Sequence, residues 1–207
     1  RVFTLYPELF PGPLGSGLYK KAIDEKIWSL EAVNIRDYAK DKHKTVDDTP
    51  FGGGSGMLLR PDILASALDN NIKKGEKIIY LSPRGKKFDQ NVARSLSKEK
   101  NLNLICGHFE GVDQRVLETR NIEEYSLGDF VLSGSEPASF VFVDALVRLL
   151  PGVLGNEDSV KEESFENHLL EYPQYTKPRK WEGKSPPEVL FSGDHAKIKG
   201  WRLSQSE

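Results

Sequence analysis

Cys106 is the only cysteine in the 207 residues of this chain. A lone thiol closes no internal disulfide, which points to a reducing cytoplasm. Long hydrophobic runs are missing as well. None approaches the ~20 apolar residues of a membrane-crossing helix, and no secretory leader is read at the start, so no membrane partner is expected. Arg1 rather than Met opens the sequence, and a few residues are expected to precede it. An excess of one charge is also absent: 29 Lys and Arg face 31 Asp and Glu, a net charge of −2. That excludes a global basic field. The four histidines, His43, His108, His168 and His195, are scattered without zinc-ligand spacing. No G-x-x-x-x-G-K-[ST] occurs, nor G-x-G-x-x-G after the first strand. "FGGGSGM" (Phe51–Met57) has four glycines but no strand before it and no lysine. A kinase- or ATPase-type phosphate cradle is therefore disfavoured.

What remains is an ordinary globular composition, 29% charged and 38% hydrophobic. Apolar runs at Val2–Leu5, Ala32–Ile35, Ile78–Leu81 and Leu102–Cys106 read as buried strands, with Phe130–Leu132 a shorter fifth. Between them Leu18–Glu25, Pro61–Lys73, Asp89–Lys98 and Val112–Thr119 read as helices. Alternating strand and helix predict an α/β fold with a mainly parallel sheet. Pro137–Leu150 is the most apolar helix, suited to a core or to a dimer interface. The character then changes. Residues 1–155 form the α/β domain, 156–168 an acidic interdomain linker, and 169–207 a small, mainly helical C-terminal domain with a helix near His195–Leu203. From Pro173 onward seven basic residues face four acidic ones, a local balance of +3 that suits a polyanion.

Glycine-rich loops follow three of the predicted strands: "LSPRGKKFD" (Leu81–Asp89), "CGHFEGVD" (Cys106–Asp113) and "SLGDFVLSGSEP" (Ser126–Pro137). In open α/β sheets ligands bind beyond the carboxyl ends of the strands, and glycine lets backbone groups approach them. A small-molecule pocket built from backbone is the expectation. In the second loop Cys106, His108 and Glu110 invite a nucleophilic reading. That reading is weak: Cys106 ends a buried apolar run, where a free cysteine acts as a small hydrophobe, and His108 is expected to be exposed. A nucleotide-dependent enzyme and a non-enzymatic RNA-binding module remain open on these features alone.

The motifs, taken in order, narrow this. "TVDDTPFGGGSGM", "YLSPRGKKFDQ", "ICGHFEGVDQRV", "SLGDFVLSGSEP", "LLPGVLGNEDS", "YPQYTKP" and "EVLFSGDHAKIKGWRLSQS" together resemble the bacterial tRNA (guanine-N1)-methyltransferases that act on guanosine-37, over nearly the whole chain. The resemblance implies a SPOUT fold, whose α/β domain ends in a trefoil knot. It implies S-adenosylmethionine as methyl donor, a homodimer whose sites are completed by the partner, and a C-terminal domain that grips the anticodon region of tRNA. The family usually continues past "WRLSQS", so that domain is expected to be incomplete. A magnesium ion is not assignable to any residue.

Carried over by position, cofactor contacts fall on Leu81, Ser82, Pro83, Gly107, Glu110, Leu127, Gly128, Asp129, Phe130, Val131, Leu132, Gly134 and Ser135. Ser135 departs from a family glycine pair, and His108-Phe109 stands where the family commonly reads Arg-Tyr. The chemistry asks for a base at guanine N1–H and a cation or donor at O6. By composition the linker acids Glu157, Asp158, Glu162, Glu163 and Glu166 are interchangeable, and Asp47 and Asp48 read equally as turn caps. The resemblance places the catalytic arginine on Arg148 and the base on Glu163, in place of the family aspartate. Asp47 is the second carboxylate near the target base.

Overall fold

The computed structural model describes residues 1–154 and 170–206. The chain divides into two compact units at Leu154.

In the first unit β1 (Val2–Thr4), β2 (Ala32–Asn34), β5 (Lys77–Lys87), β6 (Leu102–Ile105) and β7 (Glu123–Ser126) form one parallel sheet in the order β2-β1-β6-β5-β7. A separate antiparallel pair joins β3 (Asp47–Asp48) to β4 (Leu58–Leu59). The interior strands are mainly apolar on both faces where they pair, as a sheet covered by helices requires. Successive residues feed opposite layers. Phe3, Ile78 and Ile105 pack under α2 (Pro61–Asn71) and α4 (Gln114–Thr119). Val2, Ile79 and Leu104 pack under α3 (Gln90–Leu96) and α5 (Glu136–Val147). Phe3, Ile79 and Ile105 are fully enclosed. The helix starts carry their own signals. Asp89 caps α3 by accepting from Val92 N at 3.0 Å, and proline opens α2. One further helix, α1 (Gly17–Asp24), precedes β2.

The fifth strand is not Phe130–Leu132. Those residues are exposed, Val131 at 86%, and the strand lies upstream at Glu123–Ser126. Two glutamates hid it from a hydrophobicity reading. β7 lies at the sheet edge, where charge is tolerated and discourages further pairing. There Glu123 accepts from Lys77 Nζ and from the Tyr125 hydroxyl, both at 2.8 Å. β5 is correspondingly longer than the apolar run. Its pairing with β7 breaks between Leu81 and Lys86, so residues 82–85 bulge out of the ladder.

In the second unit α6 (His195–Gln205) is capped by Asp194, which accepts from Lys197 N at 3.1 Å. None of its described residues is buried. Trp201 lies against Tyr172 and Tyr175, and two arginines sit over aromatic rings, Arg179 on Phe191 at 4.1 Å and Arg202 on Tyr172 at 4.7 Å. No described helix is long and apolar enough to cross a membrane.

Candidate active site

A cleft of about 320 Å³ opens at the carboxyl ends of β5, β6 and β7, large enough for a small organic ligand. Three walls enclose it. The β5 bulge gives Leu81 to Arg84, the loop after β6 gives Gly107 to Gly111, and the segment from Ser126 into α5 gives the third. Two glycines permit this closeness. A Cβ on Gly107 would lie 2.6 Å from Tyr80 Cε2, and one on Gly134 would overlap the His108 ring. Tyr80 is buried, and its hydroxyl is pushed up to about 12 by that burial and by Glu124. It acts as wall, not as acid or base.

The predicted positions Leu81, Ser82, Pro83, Gly107 and Glu110 all line the cleft. So do Leu127, Gly128, Phe130, Val131, Leu132, Gly134 and Ser135. Asp129 is exposed and stands outside the lining. Arg84, Phe109 and Ser133 line it although no reading of the sequence chose them. Their signal was present, since each lies inside a glycine loop already singled out. The Ser135 hydroxyl is within 3.2 Å of the Leu81 carbonyl and 3.3 Å of the Gly107 carbonyl, so it joins the ends of two strands.

The tempting trio in "CGHFEG" separates. Cys106 is fully buried, and its thiol is pushed well up, first by that burial and then by the Glu136 charge. A thiolate there is unavailable at neutral pH. Native protein is therefore expected to leave an aromatic disulfide reagent unreacted, with one thiol titrating only after denaturation. Rapid reaction of the folded chain would contradict the burial. His108 corrects the expectation of exposure. Its side chain is 15% exposed, with Nε2 at 2.8 and 2.7 Å from the two oxygens of Glu136.

The proposed chemical groups are spread more widely. Asp47 is half-buried on β3, paired in register with Leu59. Leu59 N donates to Gly111 O at 3.0 Å and Glu110 N to Met57 O at 2.9 Å, which hangs this hairpin on the cleft loop. Arg148 closes the far end of α5. At about 1.5 Å of rise per residue it lies roughly 20 Å along the helix from Ser135. Its surroundings include Tyr19, whose hydroxyl meets Asp144 Oδ1 at 2.5 Å. That phenol is pushed up to about 12 by burial and by Asp144, while the Arg148 charge acts in the opposite direction. Glu163 and the other linker acids lie outside the described residues. Among the described residues no cluster of His, Cys, Asp and Glu is placed to hold a metal.

Comparison with known proteins decides the family. The family described as "tRNA (Guanine-1)-methyltransferase TrmD" matches residues 1–207. The chain belongs to the TrmD family. Relatives similar to this chain carry the name tRNA (guanine-N(1)-)-methyltransferase, three of them being representative. The one from Pelagibacter ubique is 70% identical over all of this chain and 91% of its own length. That from Bartonella tribocorum is 56% identical over all of this chain and 89% of its own, and that from Rhodospirillum rubrum 52% over all of this chain and 86% of its own. The cleft of this TrmD-family chain therefore sits on a mainly parallel α/β sheet that the sequence had led one to expect.

Proposed function

We propose that this TrmD-family enzyme transfers a methyl group from S-adenosylmethionine to N1 of guanosine-37 in tRNA, in the cytoplasm. The observation that carries the reading is the backbone-walled cleft at the strand ends, in a chain that matches the family from Arg1 to Glu207. The cleft residues fit that cofactor. Gly107 and Gly134 let the loop backbone pack directly against Tyr80 and His108 and so present main-chain groups to the cleft, Leu127 and Phe130 offer apolar surface, and Glu110 sets a carboxylate at the margin. A carboxylate beside a sulfonium is electrostatically favourable. When bound, S-adenosylmethionine supplies an electrophilic methyl group.

The chain's own residues supply the rest. Guanine N1 is a poor nucleophile until its proton leaves, and the departing proton puts negative charge on O6. Glu163 takes the proton in this reading, with Asp47 as the second candidate. Arg148 donates to O6 as that charge grows. Aligning N1 with the transferred carbon is positional work for the cleft and hairpin. The roughly 20 Å between Arg148 and the cleft along α5 supports a homodimer in which Arg148 serves the cleft of a second copy of the chain. The doubling back of residues 127–135 supports the trefoil knot of the resemblance. There Ser135 N donates to Gly107 O at 3.1 Å, and Gly134 bridges to His108. The basic, aromatic C-terminal unit is read as a tRNA grip, with Lys177, Lys180 and Trp181 exposed on it.

Methylation of an anticodon stem-loop transcript tests this. Guanosine at position 37 should be methylated and adenosine should not. Inosine keeps N1–H and O6 but lacks the 2-amino group. It should react with kcat/KM about 10- to 100-fold lower, the scale of leaving one or two polar groups unpaired. Equal methylation of adenosine, or no binding of S-adenosylmethionine in calorimetry, would sink the reading.

A further inference from the structure

Glu136 is the only acidic side chain buried among the described residues, at 2% exposure. It is the first residue of α5, and it takes no part in the chemistry above. A carboxylate held out of water needs donors on its oxygens. Two side chains provide them. The Thr4 hydroxyl donates to Oε1 at 2.6 Å, and it accepts from Tyr6 N at 2.9 Å, which fixes the direction of its proton. His108 Nε2 lies 2.8 Å from Oε1 and 2.7 Å from Oε2. With Glu136 ionised both oxygens are acceptors, and the imidazole then carries its hydrogen on Nε2. The start of a helix adds favourable potential for the charge. The Tyr6 ring meets the His108 ring edge-on at 5.0 Å, and Gly134 leaves the ring its space.

Three segments thus converge on one carboxylate: the end of β1, the loop 107–111 and the entry to α5. The last two form walls of the cleft, while Thr4 and Glu136 themselves do not line it. We propose that Thr4, Glu136 and His108 form a positioning cluster, in which Glu136 acts through His108 to hold the loop 107–111 at the spacing from residues 127–135 that the methyl donor requires. The identity of that ligand rests on the methyltransferase reading; the latch itself does not. Thr4 and Glu136 stand behind the cleft wall and His108 lies in it, and their effect is expected on cofactor affinity rather than on the chemical step.

A double-mutant cycle on the full chain tests the cluster, with calorimetric S-adenosylmethionine affinity as the main readout. Glu136→Gln and His108→Ala should each weaken binding about tenfold, or ~1.4 kcal/mol. The double variant should be no weaker than the worse single by more than about twofold, because both remove one interaction. His108→Gln, whose amide can still donate to the carboxylate, should stay within about threefold of the parent. In turnover the KM for S-adenosylmethionine should rise while saturated kcat holds. Lower melting temperature with unchanged affinity in both single variants would make the cluster merely structural and overturn the proposal. If His108→Ala does not fold, Glu136→Gln set against His108→Gln decides the same point. Hydrogen exchange of the ligand-free chain separates this from the functional reading. Amides 108–111 should exchange faster in Glu136→Gln than in the parent. Should the parent bind no S-adenosylmethionine, the methyltransferase reading fails, and unchanged exchange at 108–111 would then sink the latch independently.

Discussion

Arg148→Ala is expected to slow methyl transfer by about 10²–10³, the usual loss when one charged donor to a developing oxyanion is removed. Cofactor affinity should stay within twofold, since Arg148 lies at the opposite end of α5 from the cleft. The same separation gives a sharper experiment. If Arg148 serves the cleft of a second copy, chains carrying Arg148→Ala mixed with chains carrying Gly107→Val should recover activity. Gly107→Val alone should bind no cofactor, because even a Cβ there runs into Tyr80. In a mixed dimer the intact cleft of the first chain receives the arginine of the second. Random mixing of a two-fold dimer gives roughly a quarter of the parent activity. Recovery no better than background would place Arg148 in its own chain's site, or outside catalysis altogether.

Glu163→Gln is the second large effect expected, a fall in kcat of about 10²–10⁴ with cofactor affinity unchanged. The amide keeps the size of the side chain and loses the basic oxygen, so the loss reads proton transfer rather than packing. The pH profile provides a second measurement. In the parent, kcat should rise with pH as the carboxylate ionises and guanine N1 becomes easier to deprotonate. In the variant, the limb due to the carboxylate should disappear. Asp47→Asn distinguishes the alternative. If Asp47 only orients the base, its loss should raise the KM for tRNA more than it lowers kcat. Normal turnover by Glu163→Gln together with a collapse in Asp47→Asn would transfer the general-base role to the β3–β4 hairpin.

The strand runs at Val2–Thr4, Ile78–Leu81 and Leu102–Ile105 were legible because both faces of a parallel strand are buried, so the run is mostly apolar. Helices were legible from their caps and proline starts. Glu123–Ser126 was not, because an edge strand carries charge on purpose, and Phe130–Leu132 drew the assignment instead because apolar residues at a cleft mouth imitate a strand. The glycine loops announced the cleft, since backbone approach demands glycine whatever binds. Ser135 was legible only as a departure from a motif. Its two carbonyl partners, Leu81 and Gly107, belong to segments distant in sequence.

By itself the sequence determined the α/β class with its mainly parallel sheet, the glycine-walled strand ends and, through its motifs, the family. Each of these is written in local pattern: periodicity, cap residues and glycine placement. Only the tertiary structure decided that Cys106 is inert and that His108 turns inward to a buried glutamate. Those outcomes depend on which distant segments meet, and on the cost of leaving a charge or a thiolate in a medium that cannot solvate it.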